Sequence, residues 1–285
     1  MKYLIYALVL VCSVVRSQEI PSRWDELTAS DWENALVKSN YTCILPIGIL
    51  EKHGPGVPIG SDLIRVREWS ARATKQEYAV VFPDYFYGQV NEAKQQYGTF
   101  SLPSKLAMEL LEETTKEIAR NGFKRIIIIN GHGGNPQMIR YFIQNQLEKR
   151  RDYAVYFFEP NVPKEVADKM ASIRKSDPVT DQHGGENEAS AILYLRPDLM
   201  KQERSTQESG ANQGRLNLSS NIYTAIWWYA AYPNHYAGDA SVATVELGKV
   251  ITENAISSLV SAIKEVKNDV NTLKLQEEYF DRVKK

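Results

Sequence analysis

Glu51, His53 and Asp62 bring an acid, a histidine and a second acid together within EKHGPGVPIGSD, directly after the apolar run CILPIGIL, in a chain that has 4 histidines in all. Two apart in an extended segment, Glu51 and His53 project to the same side. Gly54, Pro55, Gly56 and Pro58 then force a tight path before Asp62 opens the next helix. Two carboxylates and an imidazole in such a turn suit a borderline divalent ion, Zn²⁺ or Mn²⁺. His132 stands in GHGGN after the run KRIIIIN, and His183, Glu186 and Glu188 stand in DQHGGENEAS at the mouth of a helix. Glycines before a helix can also cradle phosphate, but GHGGN lacks the Walker lysine and the spacing of a dinucleotide fingerprint. Acids in a first helical turn often serve only the helix dipole, which is the competing use for Glu186. Three histidines beside glycines at strand-to-helix loops favour a metal site over unrelated core histidines. His235, in the aromatic segment AIWWYAAYPNHYAGD, has the weakest claim of the four.

Those loops need elements that deliver them to one place. YTCILPIGIL, YAVVFPDYFY, KRIIIIN and YAVYFFEP read as strands, each followed by a helical pattern: about 63–77, about 104–121, about 136–150, and one opening near Glu186. Continuously apolar runs that alternate with helices predict a parallel sheet covered on both faces. In such a sheet, ligands bind at the carboxyl ends of the strands, where the three clusters fall. Residues 241–275 read as one long helix with an apolar stripe. The aromatic segment before it is suited to a lid or a subunit seam.

With 285 residues, 43% hydrophobic and 24% charged, the chain is ordinary globular material. A net charge of -1 without a long basic block argues against nucleic acid as a partner. MKYLIYALVLVCSVVRSQ has the early lysine, the short apolar stretch and the small residues of a secretory signal. We expect a signal peptide over 1–17, a single hydrolase domain over 18–285, a periplasmic or secreted location, and no stable membrane insertion after cleavage. Cleavage removes Cys12 and leaves Cys43 alone, so no intramolecular disulfide is expected; Cys43 lies in an apolar run and reads as a small buried hydrophobe.

Taken in order, ILEKHGPGVPIGSD, QQYGTFSLPS, INGHGGN, HGGENEASAILYLRP and YAGDASVATVELG resemble the creatininase, or creatinine amidohydrolase, family over residues 40–255. The resemblance implies a three-layer α/β/α sandwich, a homo-oligomer (commonly a hexamer), a small-molecule substrate and one or two divalent ions per subunit. It implies Glu51, His53, Asp62 and His132 as metal ligands, with Asp62 between two ions, His183 as the proton-transferring histidine, and Glu188 as the catalytic acid beyond it. Two departures point away from creatinine itself: Gly134 stands where creatininase has a metal-binding glutamate, and Gly56 replaces a histidine. Glu188, or less readily Glu186, is a candidate to supply the missing ligand; a single ion on Glu51, Asp62 and His132 is the alternative. The expected chemistry is hydrolysis of a non-peptide C–N bond in a cyclic or small linear amide by a metal-bridging hydroxide. Alternatives are ring-opening of an oxidised sugar or cyclitol, peptide trimming, and a non-catalytic metal-stabilised binding protein. Tyr97, Thr99, Gly133, Gly134, Trp227, Trp228 and Tyr236 are the candidates for substrate contacts.

Overall fold

A computed structural model describes residues 19–283; the expected signal segment lies outside them. Four parallel strands, β1 (Thr42–Ile47), β2 (Val80–Val81), β3 (Arg125–Asn130) and β4 (Ala154–Phe158), lie in the order β2-β1-β3-β4. Cys43 pairs with Ile126 and Ile47 with Asn130, so the ends of β1 and β3 are level.

The helices are α1 (Trp32–Lys38), α2 (Ser61–Ala73), α3 (Ser104–Arg120), α4 (Pro136–Gln144), α5 (Lys164–Ile173), α6 (Glu186–Leu195), α7 (Trp227–Ala231), α8 (Val245–Asn268) and α9 (Thr272–Arg282). Successive strand residues face opposite sides, and the core divides accordingly. Ile44, Ile127 and Ile129 pack with Leu63, Val66 and Trp69 of α2 and Ile256, Leu259 and Ile263 of α8. Cys43, Leu45, Ile126 and Ile128 pack with Ala35 of α1, Leu111 and Ile118 of α3, and Ile139 and Phe142 of α4. This is the expected three-layer sandwich with a parallel sheet, and Cys43 is free and fully buried within it. Among the described residues no helix is long and apolar enough to cross a membrane.

The chain leaves β1 through α2 to β2 on one side and returns through α3 to β3 on the other. The crevice beyond the carboxyl ends of β1 and β3 is therefore the topological switch point, the place where open α/β sheets bind ligands. Three expectations are corrected. The second strand is short: its ladder stops at Val81, two residues before Pro83, which has no amide to donate. The expected helix over 136–150 ends at Gln144 and tightens into a 3₁₀ turn over Asn145–Glu148. The expected long helix over 241–275 is two: α8 starts at Val245, where Thr244 accepts from the Leu247 amide, and ends at Asn268, and the Asp269 carboxylate accepts from the amides of Asn271 and Thr272 to start α9.

Candidate active site

Glu51 and His53 leave the end of β1, Asp62 sits in the first turn of α2, His132 follows β3, and His183 and Glu188 flank the start of α6. All six come together at the switch point. Two glycines make the convergence possible. Gly54 has φ +69, and a Cβ there would lie 2.6 Å from the Tyr236 ring; Gly184 has φ +67, and a Cβ would lie 2.7 Å from the His53 backbone. Both positions require the left-handed backbone and close approach that glycine allows. An antiparallel bridge between His183 and Ala237, with both bonds 2.9 Å long, ties the third cluster to the C-terminal loop.

Three of the histidines share one arrangement. His53 Nδ1 donates to the Glu51 carbonyl at 3.1 Å, His132 Nε2 to the Gln89 carbonyl at 2.8 Å, and His183 Nε2 to the Lys52 carbonyl at 2.8 Å. Carbonyl oxygens only accept, so in the neutral ring each bond fixes the tautomer and leaves the opposite nitrogen bare, ready for a metal or a second proton. Those bare nitrogens face carboxylates: His53 Nε2 lies 3.3 Å from Asp62 Oδ1 and 3.6 Å from Glu188 Oε2, and His132 Nδ1 lies 2.7 Å from Glu51 Oε1 and 3.3 Å from Asp62 Oδ2. His183 Nδ1 lies 3.8 Å from Glu188 Oε2.

Glu51 Oε1, both Asp62 oxygens and His53 Nε2 are buried without a hydrogen-bond partner. Lone pairs so placed repel unless a cation lies among them. Without a metal, the extra protons that the carboxylates hold on His53 and His132 fill that role, and a divalent ion would displace them. Among the described residues three triads have the reach of an ion, each with one ligand atom per residue within 4.8 Å of the others: Glu51, Asp62 and His132; His53, His183 and Glu188; and Glu51, His183 and His235. Asp62 offers a different oxygen to His53 and to His132 and so stands between the first two. The residues fit a divalent cation, with histidine nitrogens anchored through their second ring atom as in metal centres generally.

Titration behaviour follows from the same field. Burial would lower His53, but the Asp62 and Glu188 charges override it and raise it to about 9. Burial would likewise lower His132, yet Glu51 and Asp62 hold it well above its ordinary value. Burial would raise the two glutamates, but His132 and His183 hold Glu51 well below the usual carboxylate range, and His53 and Arg65 bring Glu188 to about 2. His183 goes the other way: burial and the neighbouring His53 charge depress it to about 4.

Gly134 is enforced, because a Cβ there would clash with His132 Nε2 and come within 2.8 Å of Glu92 Oε1. The carboxylate expected to compensate is Glu188, which accepts from Arg65 Nη1 at 2.8 Å through Oε1 and from the Gly184 amide at 2.7 Å through Oε2. Glu186 is not a candidate ligand: fully buried, it accepts from the amides of Lys175 and Ser176 and pins the loop that leads to His183.

The substrate-contact candidates divide. Gly133 faces open space, and Trp228 stacks edge-on to His183 with ring centroids 5.8 Å apart. Thr99 is half-buried, whereas Tyr97 is 99% exposed and Trp227 half out in solvent. Tyr236 is corrected to a core residue, since its ring packs under Gly54 and its hydroxyl accepts from the Ala240 amide at 2.8 Å. Sequence reasoning missed Arg65, although it lies one helical turn beyond Asp62. It also ranked His235 last, whereas His235 Nε2 lies 2.6 Å from Glu51 Oε2.

Residues 25–263 match the family model for Creatininase, described as creatinine amidohydrolase. The chain belongs to the creatininase family. It is 25% identical over 252 residues to creatinine amidohydrolase of Pseudomonas putida, covering 84% of this chain and 95% of that protein. It is 23% identical over 240 residues to 3-dehydro-scyllo-inosose hydrolase of Thermotoga maritima, covering 78% and 76%. A crystal structure of creatinine amidohydrolase superposes with a TM-score of 0.73 over 88% of this chain and 99% of that one, at 22% identity. A manganese form of creatininase superposes with a TM-score of 0.71 over 87% of this chain and 100% of that one, also at 22% identity. These likenesses agree with the fold derived from the strand order, and membership in this family of hydrolases makes the chain an enzyme.

Proposed function

We propose that this member of the creatininase family is an exported, metal-dependent hydrolase of a non-peptide C–N bond, in a cyclic or small linear amide. Glu51, His53, Asp62, His132 and Glu188 would hold one or two divalent ions, zinc or manganese, as in the creatininase relatives. One observation carries the reading: the fully buried, unpartnered lone pairs of Glu51, Asp62 and His53 converge on a common centre.

When bound, a divalent cation supplies Lewis acidity toward a carbonyl oxygen and acidifies water. The chain's own groups supply the rest. His183, depressed to about 4, is neutral at pH 7 and has Nδ1 free to accept a proton. Once protonated it is a strong acid, suited to delivering that proton to a poor leaving group such as an amine nitrogen. Glu188, 3.8 Å away, would stabilise the transient imidazolium. Open space at Gly133 lets a substrate reach the 131–134 loop, whose amides would receive a developing oxyanion.

Ring-opening of an oxidised sugar or cyclitol is the second reading, supported by the near-equal identity to the inosose hydrolase and to the creatinine amidohydrolase. A homo-oligomer, with six subunits by family resemblance, is consistent with the exposed Leu218, Ile222, Tyr223 and Ile226 that precede α7. The test is elemental analysis of the purified protein and of Glu188→Ala, with hydrolysis of a panel of small amides, lactams and oxidised cyclitols followed by product analysis. Loss of about one ion and of turnover on Glu188→Ala supports the reading. A protein that takes up no divalent metal, or that hydrolyses equally well after chelation, overturns it. Unfolding on chelation would favour a stabilising ion in a binding protein.

A further inference from the structure

His235 has φ 55, a left-handed backbone that side-chain-bearing residues seldom adopt, and among the described residues Asn40 and Tyr41 alone share that trait outside glycine. Glycine would take the position without steric cost. Strain of this kind persists where a side chain is needed, and the His235 side chain is buried against the site. Trp228 Nε1 donates to His235 Nδ1 at 2.7 Å, and His235 Nε2 lies 2.6 Å from Glu51 Oε2. An indole nitrogen only donates, so Nδ1 must be the acceptor and the neutral imidazole carries its proton on Nε2. This is the reverse of the arrangement in His53, His132 and His183, whose neutral rings carry the proton on the nitrogen that faces away from the site.

The geometry points to a Trp228–His235–Glu51 relay in which His235 is a positioning residue and not a metal ligand. Glu51, His183 and His235 do fall within ligand range of one another. However, Nδ1 of His235 is taken by the indole, and Nε2 would have to give up both its proton and Glu51 to coordinate. With Oε2 held by His235, Glu51 presents only Oε1, the oxygen that faces His132 and lacks a hydrogen-bond partner. The relay thereby makes Glu51 a one-oxygen ligand with a fixed rotamer. This inference rests on the metal-site reading above.

The test is zinc affinity and stoichiometry at pH 7.5, by competition with a chromogenic chelator, for the full chain and for His235→Gly, His235→Gln and Trp228→Phe, with thermal unfolding in EDTA as the control on folding. Hydrogen-bond partners of metal ligands are commonly worth 10–100-fold in affinity. We expect His235→Gly to bind zinc about 10–100-fold more weakly at unchanged stoichiometry, with the EDTA unfolding scan showing that it still folds, at a lower Tm because the buried Trp228 and Glu51 groups lose their partner. His235→Gln, which keeps a donor toward Glu51, should recover most of that loss, and Trp228→Phe, which frees the tautomer, should bind several-fold more weakly. Wild-type affinity in His235→Gly or in a folded Trp228→Phe overturns the relay, and loss of a whole ion in both His235 variants overturns it in favour of a ligand. If wild type itself binds no zinc, the failure belongs to the metal-site reading instead.

Discussion

Arg65→Met separates the stability of the metal-free protein from that of the loaded one. Arg65 Nη1 donates to Glu188 Oε1 at 2.8 Å and lies 3.9 Å from Asp62 Oδ1, and the Arg65 and Glu188 side chains are 13% and 19% exposed. At an effective dielectric near 20, unit charges about 4 Å apart interact by about 4 kcal/mol, and removing one partner of a buried pair costs about 3–5 kcal/mol. Allowing for the residual exposure of Glu188, we expect the EDTA-treated variant to lose about 2–4 kcal/mol, or roughly 3–7 °C in Tm for a chain of this size. A bound divalent ion compensates the same carboxylate, so the zinc-loaded variant should lose much less. The difference must then appear as tighter binding, by about 30-fold for each 2 kcal/mol. Differential scanning calorimetry of wild type and variant, each in EDTA and in excess zinc, measures both quantities. Equal Tm losses in the two states would refute the argument, because Arg65 would then not be competing with the metal for Glu188.

Zinc affinity should climb as pH rises to about 9, because the proton held on His53 must leave before that nitrogen can coordinate; a flat profile from pH 6 to 10 by chelator competition would contradict this. The sign reverses for the metal-free protein: the raised His53 contributes stability that is fully present below its unfolded value of about 6.5 and is lost as pH rises through about 9. Adjacent glycines should respond oppositely to alanine. Gly133→Ala meets nothing within 4 Å and should leave metal binding unchanged, whereas Gly134→Ala must push His132 aside and weaken binding at least tenfold, about 1.4 kcal/mol. Elemental analysis and chelator competition on the two proteins distinguish them.

The strands and most of the ligands were legible because their signals are local. Ile126–Ile129 form an apolar run that must be buried on both faces, and Glu51, His53, His132, His183 and Glu188 flank glycines that mark strand-to-helix loops. The helix over 104–121 ends within one residue of its expected bound because its apolar stripe stops there. What was not legible depends on partners distant in sequence. Glu186 looked like a helix-dipole acid, and only the folded loop brings the Lys175 and Ser176 amides to it. The role of His235 depends on Trp228 from one side and Glu51 from the other, and its left-handed backbone leaves no trace in residue type. Tyr236 was read as a pocket wall from its aromatic neighbours, whereas the Gly54 turn closes over it.

The groups of the site come from opposite ends of the fold: Glu51, His53, Asp62 and His132 from the β1–β3 half, His183 and Glu188 from the segment that the Ala237 bridge locks in place. During synthesis, the first four emerge long before the last two, and Glu51 lacks its His235 support until most of the chain has been made. A partial product can therefore present a loose carboxylate–imidazole set to any cation but not the finished cage. A chain cut short before the Ala237 bridge would accordingly keep the sheet half of the ligand set and lack the support that fixes Glu51 and the segment that carries His183 and Glu188.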